Sequence, residues 1–136
     1  RRFEYEQLIA ELDLTDYVKL LGSRRDVPDL LSQCDVFAFQ ALRDEGFGIA
    51  LAEAMAARLP IVATDVGACR EVLECGRCGL LVAEQSPQAM ADGILQLLEK
   101  SDETGIRARA AFDRAVQEFS VPESANAYGR ALGICR

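Results

Sequence analysis

The sequence predicts an α/β fold in which a parallel sheet is flanked by helices and followed by a helical C-terminal tail. Short, almost continuously apolar segments alternate with helical patterns, which is the arrangement of βαβ units. Strands of that composition are typically buried on both faces of a parallel sheet. Beyond residue 86 the periodicity is helical throughout. With 136 residues, the chain is long enough for one domain with a substantial core.

The predicted strands are short and apolar. We expect four of them, at residues 17–21, 35–39, 60–64 and 79–82. In a parallel sheet the carboxyl ends of the strands meet at one edge, where ligands usually bind. The loops that follow the first three strands should therefore converge there, and they comprise residues 22–25, 40–48 and 64–69.

Helical periodicity covers most of the remaining chain. We expect helices at residues 3–12, 26–33, 48–57, 70–74, 87–100, 105–119 and 120–131. Leu8 and Leu12 of the first helix should face inward. Asp26 and Ser86 are candidate N-caps, and each is followed by a proline near the first turn. The helix at 105–119 carries an apolar stripe that ends at Phe119.

The most informative segment joins a Gly-Phe-Gly turn at residues 46–48 to an almost wholly apolar helix that carries Glu53. Glycine lets the backbone approach a ligand closely. The helix that follows directs free N–H groups and a positive dipole end at that place, which favours a phosphate. Glu45 in the loop and Glu53 in the helix could accept hydrogen bonds from hydroxyl groups. A phosphate beside hydroxyl groups indicates a sugar nucleotide.

Both glutamates also have an explanation without a ligand. A carboxylate such as Glu45 is stabilised near a helix N-terminus, and Glu53 could simply face solvent. The apolar residues around Glu53 nevertheless suggest an enclosed helix, in which an unpaired carboxylate is costly. We therefore expect Glu53 to have a polar partner, and spacing alone leaves its role in ligand binding open.

The composition is that of a soluble globular domain, and it argues against several other classes. Half of the residues are hydrophobic and 27% are charged, which is ordinary for a globular protein. The net charge of −7 argues against a broad nucleic-acid-binding face. No apolar run reaches the length of a membrane span. The chain begins inside a helical pattern, without an initiator Met or a signal peptide, so we expect a fragment or a processed chain.

The chain has five cysteines and no histidine. Cys34 and Cys69 lie in predicted core elements, and an odd number of cysteines suits buried thiols in a reducing compartment. Cys75 and Cys78 form a CxxC pair near Cys69, so a metal or redox site is an alternative. A zinc site would need a fourth ligand. A thioredoxin-like pair would follow a strand, whereas a helix precedes this one.

Glu45 and Glu53 form an E-x7-E motif that encloses the Gly-Phe-Gly turn. The motif stands in a fixed order with segments at 36–39, 59–64, 67–72 and 78–82. Residues 21–22 and 27–31 precede them. Together these motifs resemble the donor-binding half of the family 4 retaining glycosyltransferases, over about residues 5–100.

The resemblance implies a GT-B fold, in which two Rossmann-like domains enclose the active site. Residues 1–136 would form a single, N-terminally truncated Rossmann-like domain that binds the nucleotide-sugar donor, and the acceptor domain would be absent. The implied reaction transfers a sugar to a glycan, lipid or small-molecule acceptor with retention of configuration. We expect the isolated fragment to be inactive, because half of the cleft is missing.

The resemblance also assigns roles to single residues. Glu45 is implied as the catalytic residue, facing the transferred sugar. The positions implied to bind the substrate are Gly22, Arg24, Phe47, Gly48, Ile49, Ala50 and Glu53. Among them Phe47 and Gly48 shape the sugar–diphosphate pocket, Glu53 accepts hydrogen bonds from the ribose, and the loop at 22–24 is a looser assignment for the base. Backbone N–H groups at the helix start would stabilise the leaving diphosphate without a metal or other cofactor.

The chain departs from the family pattern at several places. The usual Arg and Lys that hold the diphosphate belong to a segment upstream of Phe3, which this sequence lacks. Gln40 and Ala41 stand where the family has Pro-Ser, Arg58 where it has Gly, and Cys69 where it has Pro. A domain without its first strands would expose a sheet edge or an apolar face, so a homodimer through that face is a hypothesis.

The sequence thus predicts part of a cytoplasmic glycosyltransferase, peripheral at most to the inner face of the membrane. One alternative is a non-catalytic module that binds a nucleotide sugar or mediates assembly. A less favoured alternative is a cysteine-based metal or redox protein.

Overall fold

The computed structural model describes residues 2–42, 46–99 and 101–132. The helices are α1 (Arg2–Glu11), α2 (Val27–Leu31), α3 (Ile49–Ala56), α4 (Gly67–Val72), α5 (Pro87–Leu98), α6 (Asp102–Glu118) and α7 (Val121–Ala131), with a 3₁₀ turn at Glu74–Gly76. The strands are β1 (Phe37–Phe39), β2 (Ile61–Thr64) and β3 (Leu80–Val82). No helix within the described ranges is long and apolar enough to cross a lipid bilayer.

The three strands form a parallel sheet in the order β1-β2-β3. Phe37 aligns with Ile61, and Val62 aligns with Leu80. All four residues of β2 are buried, whereas β1 and β3 are half-buried and Ala38 of β1 is exposed. The predicted parallel α/β fold is therefore confirmed, but burial on both faces holds only for the central strand.

Helices cover both faces of this sheet. On one face α5 packs against β2 and β3, and it approaches them closely at Gly93. On the other, α3 lies beside β2 and packs against α6. The largest fully buried side chains are Leu51, Met55, Ile61, Val62, Cys69, Val72, Leu73 and Cys78. The core therefore lies where α3, β2 and α4 meet, directly beneath the turn that begins α3.

The predicted strand at residues 17–21 is wrong. Tyr17 and Val18 both donate their backbone N–H groups to the carbonyl of Leu14, which closes a turn after α1. The Tyr17 side chain is 83% exposed. A strand needs a partner for its ladder of hydrogen bonds, and the described residues place no strand beside this segment. A short apolar segment does not by itself reveal whether such a partner is present.

The predicted inward face of α1 is also wrong. The helix forms where expected, but none of its residues is buried. Leu8 and Leu12 are exposed, as are Phe3 and Tyr5. Periodicity predicts an apolar stripe, whereas its burial depends on which element packs against it.

Helix boundaries follow local capping. Ser86 accepts a hydrogen bond from the amide three residues later, at 3.2 Å, which confirms it as the N-cap of α5. Asp26 stands at the N-cap position of α2, but its side chain makes no cap hydrogen bond and pairs with Arg24 instead. Ser101 caps α6, so this helix begins three residues before its predicted start. Helix α4 begins at Gly67, also three residues earlier than predicted.

Candidate functional site

The turn that begins α3 requires glycine. Gly48 is the N-cap residue and has a left-handed backbone conformation, with φ 70° and ψ 64°. A Cβ atom there would lie 3.4 Å from Leu51 Cδ1 and 3.5 Å from the ring of Phe39. Other residues adopt such a conformation only with strain. The chain can therefore leave β1, turn sharply and start α3 at Ile49.

The amino end of α3 lies at the carboxyl edge of the sheet. The first-turn amides, including those of Ile49 and Ala50, have no acceptor within the helix. Because the helix dipole adds partial positive charge at this end, an anion is favoured there. Gly48 is buried, whereas Ile49 is 71% exposed. The helix start is therefore supported by the core and open to solvent on one side.

Glu53 lies on the open side of α3, and the expectation that it is enclosed is wrong. Its side chain is exposed, so it does not need the polar partner that burial would demand. The residues of α3 that are buried are Leu51, Ala54 and Met55. The apolar composition of the helix misled the prediction, since alanines on its open side are too small to cover a neighbouring carboxylate.

A cavity of about 430 Å³ borders this side of α3. Its walls come from the Gly-Phe-Gly turn, from α3 and from the junction of α6 with α7. The lining residues are Phe47, Ile49, Ala52, Glu53, Ala56, Ala115, Val116, Phe119, Ser120 and Val121. The ring of Phe47 meets that of Phe119 edge to face, with centroids 5.0 Å apart and planes at 80°. Glu53 supplies the carboxylate of this mainly apolar cavity.

A buried hydroxyl joins the two neighbouring loops. Thr64 Oγ1 accepts a hydrogen bond from the Ala41 amide at 2.9 Å and donates one to the Ala41 carbonyl at 3.0 Å. The loops after β1 and β2 therefore converge as predicted. Beyond Thr64, Arg70 Nη2 donates to Asp65 Oδ2 at 2.7 Å, and this partner lowers the pKa of the Asp65 carboxyl.

Glu45, the predicted catalytic residue, lies outside the described residues, and its role stays a prediction. The chain is described up to Leu42 and again from Gly46. Ala41 is fixed by Thr64 on one side of this gap, and Gly48 begins α3 on the other. The described residues on both sides of this gap therefore lie at the carboxyl edge of the sheet.

Gly22 and Arg24 lie apart from the cavity beside α3. Gly22 has φ 69° and lines a separate cavity of about 520 Å³ with residues of α1, including Arg2 and Tyr5. Arg24 Nε donates to Asp26 Oδ1 at 2.8 Å, and this contact lowers the pKa of the Asp26 carboxyl. The structure therefore brings together Phe47, Gly48, Ile49, Ala50 and Glu53, while Gly22 and Arg24 belong to a second region.

The four cysteines that the structure describes do not form a recognisable reactive site. Cys69 and Cys78 are buried, whereas Cys34 is exposed, so its predicted place in the core is wrong. It follows α2 in the turn before β1, where its Sγ donates to the Leu30 carbonyl. Burial raises the pKa of the Cys78 thiol, which disfavours the reactive thiolate. Among the described residues no cluster of His, Cys, Asp or Glu is suited to a metal ion, and Cys135 lies outside them.

Two residues that support the site were not singled out from the sequence. Thr64 is the one hydroxyl-bearing residue of the apolar strand β2, and that exception was an available signal. Phe119 ends the apolar stripe of α6, but only the fold shows that its ring meets Phe47. Both contacts join residues far apart in sequence.

The family model described as "Glycosyl transferases group 1" matches residues 1–100 of this chain. The lipopolysaccharide core biosynthesis mannosyltransferase LpsB of Rhizobium meliloti (strain 1021) is 30% identical over 126 residues, which cover 91% of this chain and 36% of LpsB. A phosphatidyl-myo-inositol mannosyltransferase of Mycobacterium leprae is 36% identical over 121 residues, covering 87% of this chain and 32% of that protein. The chain thus spans about a third of the length of these curated relatives.

Solved structures show the same similarity. The crystal structure of HepE from Anabaena in complex with UDP and glucose aligns with a TM-score of 0.87 and 33% identity, covering 96% of this chain and 35% of HepE. The C-terminal domain of the group 1 glycosyl transferase LpcC from Francisella tularensis aligns with a TM-score of 0.69 and 25% identity, covering 88% of this chain and 63% of that one. The fold is that of the Rossmann-like half of GT-B glycosyltransferases.

Proposed function

This chain belongs to the glycosyl transferases group 1 family, and on that premise we propose that it supplies the nucleotide-sugar site of a sugar-transferring enzyme. The observation that carries the proposal is the start of α3, where Gly48 directs the first-turn amides to the carboxyl edge of the sheet. Glu53 lies one turn further along the same open side. HepE, with the same fold, binds UDP and UDP-glucose.

The proposed role of the α3 amino end is to hold the diphosphate. When the bond between sugar and diphosphate breaks, negative charge grows on the leaving nucleotide. Fixed N–H groups and a helix dipole stabilise that charge without having to reorient. Gly48 and the amides of Ile49 and Ala50 would perform this function, and we expect no metal or other cofactor to be needed.

The proposed role of Glu53 is to accept hydrogen bonds from the ribose hydroxyls. Its carboxylate is exposed beside a mainly apolar cavity, so it can pair with a ligand without first breaking a buried contact. Glu45 would face the hydroxyls of the transferred sugar, and Phe47 would form a wall of the pocket. The Gly22–Arg24 loop is the proposed site of the nucleotide base.

The whole reaction needs more than this chain contains. The acceptor, which we propose is a glycan, a lipid or a small molecule, would bind largely to the part of the enzyme outside residues 1–136. We expect retention of configuration and no turnover by the isolated chain. Transfer of a labelled sugar by these 136 residues alone would refute the second expectation.

The proposed compartment is the cytoplasm, with at most peripheral contact with a membrane. Cys34, Cys69, Cys75 and Cys78 form no disulfide with one another, which suits a reducing environment. Cell fractionation with an antibody to the chain tests this placement. A homodimer through an uncovered face stays a hypothesis, which sedimentation over a dilution series would check.

The proposal is tested by nucleotide binding. Ligand-observed NMR would compare UDP, GDP and ADP, and their sugar conjugates, against the protein and its Glu53→Ala variant. Glu99→Ala is the matched control, because Glu99 is also exposed but caps the far end of α5. We expect selective binding of one nucleotide, lost in Glu53→Ala and kept in Glu99→Ala.

Equal binding by both variants would contradict the role of Glu53. Binding by the intact parent protein without any sugar transfer would favour a non-catalytic module instead.

A further inference from the structure

The ring of Phe47 contacts an aromatic side chain at the end of α6. This ring and that of Phe119, the C-cap residue of α6, pack edge to face with centroids 5.0 Å apart. Phe47 precedes Gly48 and is 48% exposed at the cavity beside α3. The position of this ring therefore depends on where the end of α6 lies, as well as on its own turn.

Arg114 in turn holds Phe119. Its guanidinium carbon lies 5.3 Å from the centre of the Phe119 ring, and its side chain is only 14% exposed. Arg114 Nη2 donates to the Glu71 carbonyl at 3.2 Å, and Nη1 donates to Glu118 Oε1 at 3.1 Å. An ion pair with Glu74 at 3.5 Å adds a contact to the turn after α4. The guanidinium thus connects α4, α6 and the aromatic pair.

A lysine could not replace this arrangement. The planar guanidinium can lie over a ring and donate in several fixed directions at the same time, whereas an ammonium group acts as a compact point charge. Arg114→Lys would keep the positive charge near Glu74 and Glu118. It would lose the planar group over Phe119 and the fork that reaches α4.

A similar contact lies at the opposite end of α3. The guanidinium carbon of Arg58 is 4.0 Å from the centre of the Phe112 ring on α6. Arg58 follows α3, whereas Phe47 precedes it, so the two aromatic contacts fasten the same pair of helices at different ends. Only the contact through Phe119 reaches the Gly-Phe-Gly turn.

We propose that Arg114 and Phe119 are positioning residues of the donor site, which fix the Phe47 ring and through it the turn that begins α3. This inference rests on the proposed function, since it concerns the site for the nucleotide sugar. Neither side chain needs to touch the reacting atoms. Their effect is to keep the wall of the pocket in the shape that the ligand requires.

The test compares variants at both ends of α3 by calorimetric titration with UDP, at a temperature well below the Tm of each. Arg114→Lys and Phe119→Leu should weaken UDP binding about 2- to 10-fold each, the range expected for the loss of an aromatic contact. Arg58→Lys is the matched control, and it should lower the Tm without weakening UDP binding. The double variant Arg114→Lys/Phe119→Leu should lose less affinity for UDP than the product of the two single fold-changes, because both substitutions act through one contact.

A second readout needs no nucleotide. The chain has no tryptophan, so Phe47→Trp introduces a single tryptophan at the contact, and its emission can be followed selectively. Its emission should shift to longer wavelength when Arg114→Lys is added and stay unchanged with Arg58→Lys. This measurement also serves if Phe119→Leu fails to fold.

Unchanged UDP binding in Arg114→Lys and Phe119→Leu would overturn the inference, and so would an equal loss in Arg58→Lys, which would indicate a general effect of helix packing. An absence of UDP binding by the unsubstituted protein would be a failure of the proposed function for UDP, and the fluorescence readout then decides the inference. In that case an unchanged emission in Phe47→Trp/Arg114→Lys would separately refute the ring contact.

Discussion

Gly93 is the place where α5 comes nearest to the sheet, and replacing it by alanine tests the packing of the fold. A Cβ atom at Gly93 would lie 2.8 Å from Val62 Cγ2, 3.2 Å from Val82 Cγ1 and 3.3 Å from Leu80 Cδ2. Three such contacts force the helix or the strands to move, and overpacking of this kind costs about 1–3 kcal/mol. Alanine returns about 1 kcal/mol through its better helix propensity. Gly93→Ala should therefore lower the free energy of unfolding by up to about 2 kcal/mol.

Gly105 provides the matched control. It lies in the first part of α6, and a Cβ atom there would meet nothing within 4 Å. Gly105→Ala should therefore raise the free energy of unfolding, by up to about 1 kcal/mol. Urea unfolding followed by circular dichroism would measure both variants, with an unchanged m-value as the sign that both stay two-state. A Gly93→Ala variant that gains as much stability as Gly105→Ala would refute the close packing of α5 on the sheet.

Three further predictions concern single side chains. Thr64→Val removes both hydrogen bonds to the loop after β1 and should cost about 1–3 kcal/mol in urea unfolding; no loss would show that the loop is held otherwise. Ser86→Ala should cost about 1 kcal/mol, whereas Ser120→Ala should cost little because Ser120 makes no side-chain cap hydrogen bond; equal melting temperatures would contradict this. The Arg70 contact lowers the pKa of Asp65, so its small contribution is present above pH about 4 and lost as pH falls through the lowered pKa. Arg70→Met should flatten the dependence of stability on pH below about 4, and an unchanged profile would count against the pair.

Local chemistry explains which features the sequence predicts well. The start of α3 follows from Gly48, because its left-handed conformation excludes most other residues. The start of α5 follows from Ser86 and the proline after it. Each of these depends on a few neighbouring residues, so its signal is complete within a short segment of sequence.

Tertiary contacts explain what the sequence could not reveal. The apolar neighbours of Glu53 indicated burial, but the open side of α3 is decided by where α6 and α7 lie. Residues 17–21 have the composition of a strand, but no strand in the described part of the chain pairs with them. Cysteine is a residue type often found in protein cores, but Cys34 lies in an exposed turn. In each case the outcome depends on contacts between residues that are distant in sequence.

The site shows the same division. The motif predicts Phe47, Gly48 and Glu53 as site residues, and Phe47 and Glu53 line the same cavity beside α3. It did not identify Thr64, whose hydroxyl joins two loops separated by more than 20 residues in sequence.

The most direct test of the central claim, that the α3 amino end holds the diphosphate of a nucleotide sugar, is a titration of the ¹⁵N-labelled protein with UDP, GDP and ADP in turn. Amide chemical shifts would be followed residue by residue. The largest changes should occur at Gly48, Ile49 and Ala50, with smaller changes near Glu53. Saturable changes confined to another region, such as the cavity beside Gly22, or no change at all, would contradict the claim.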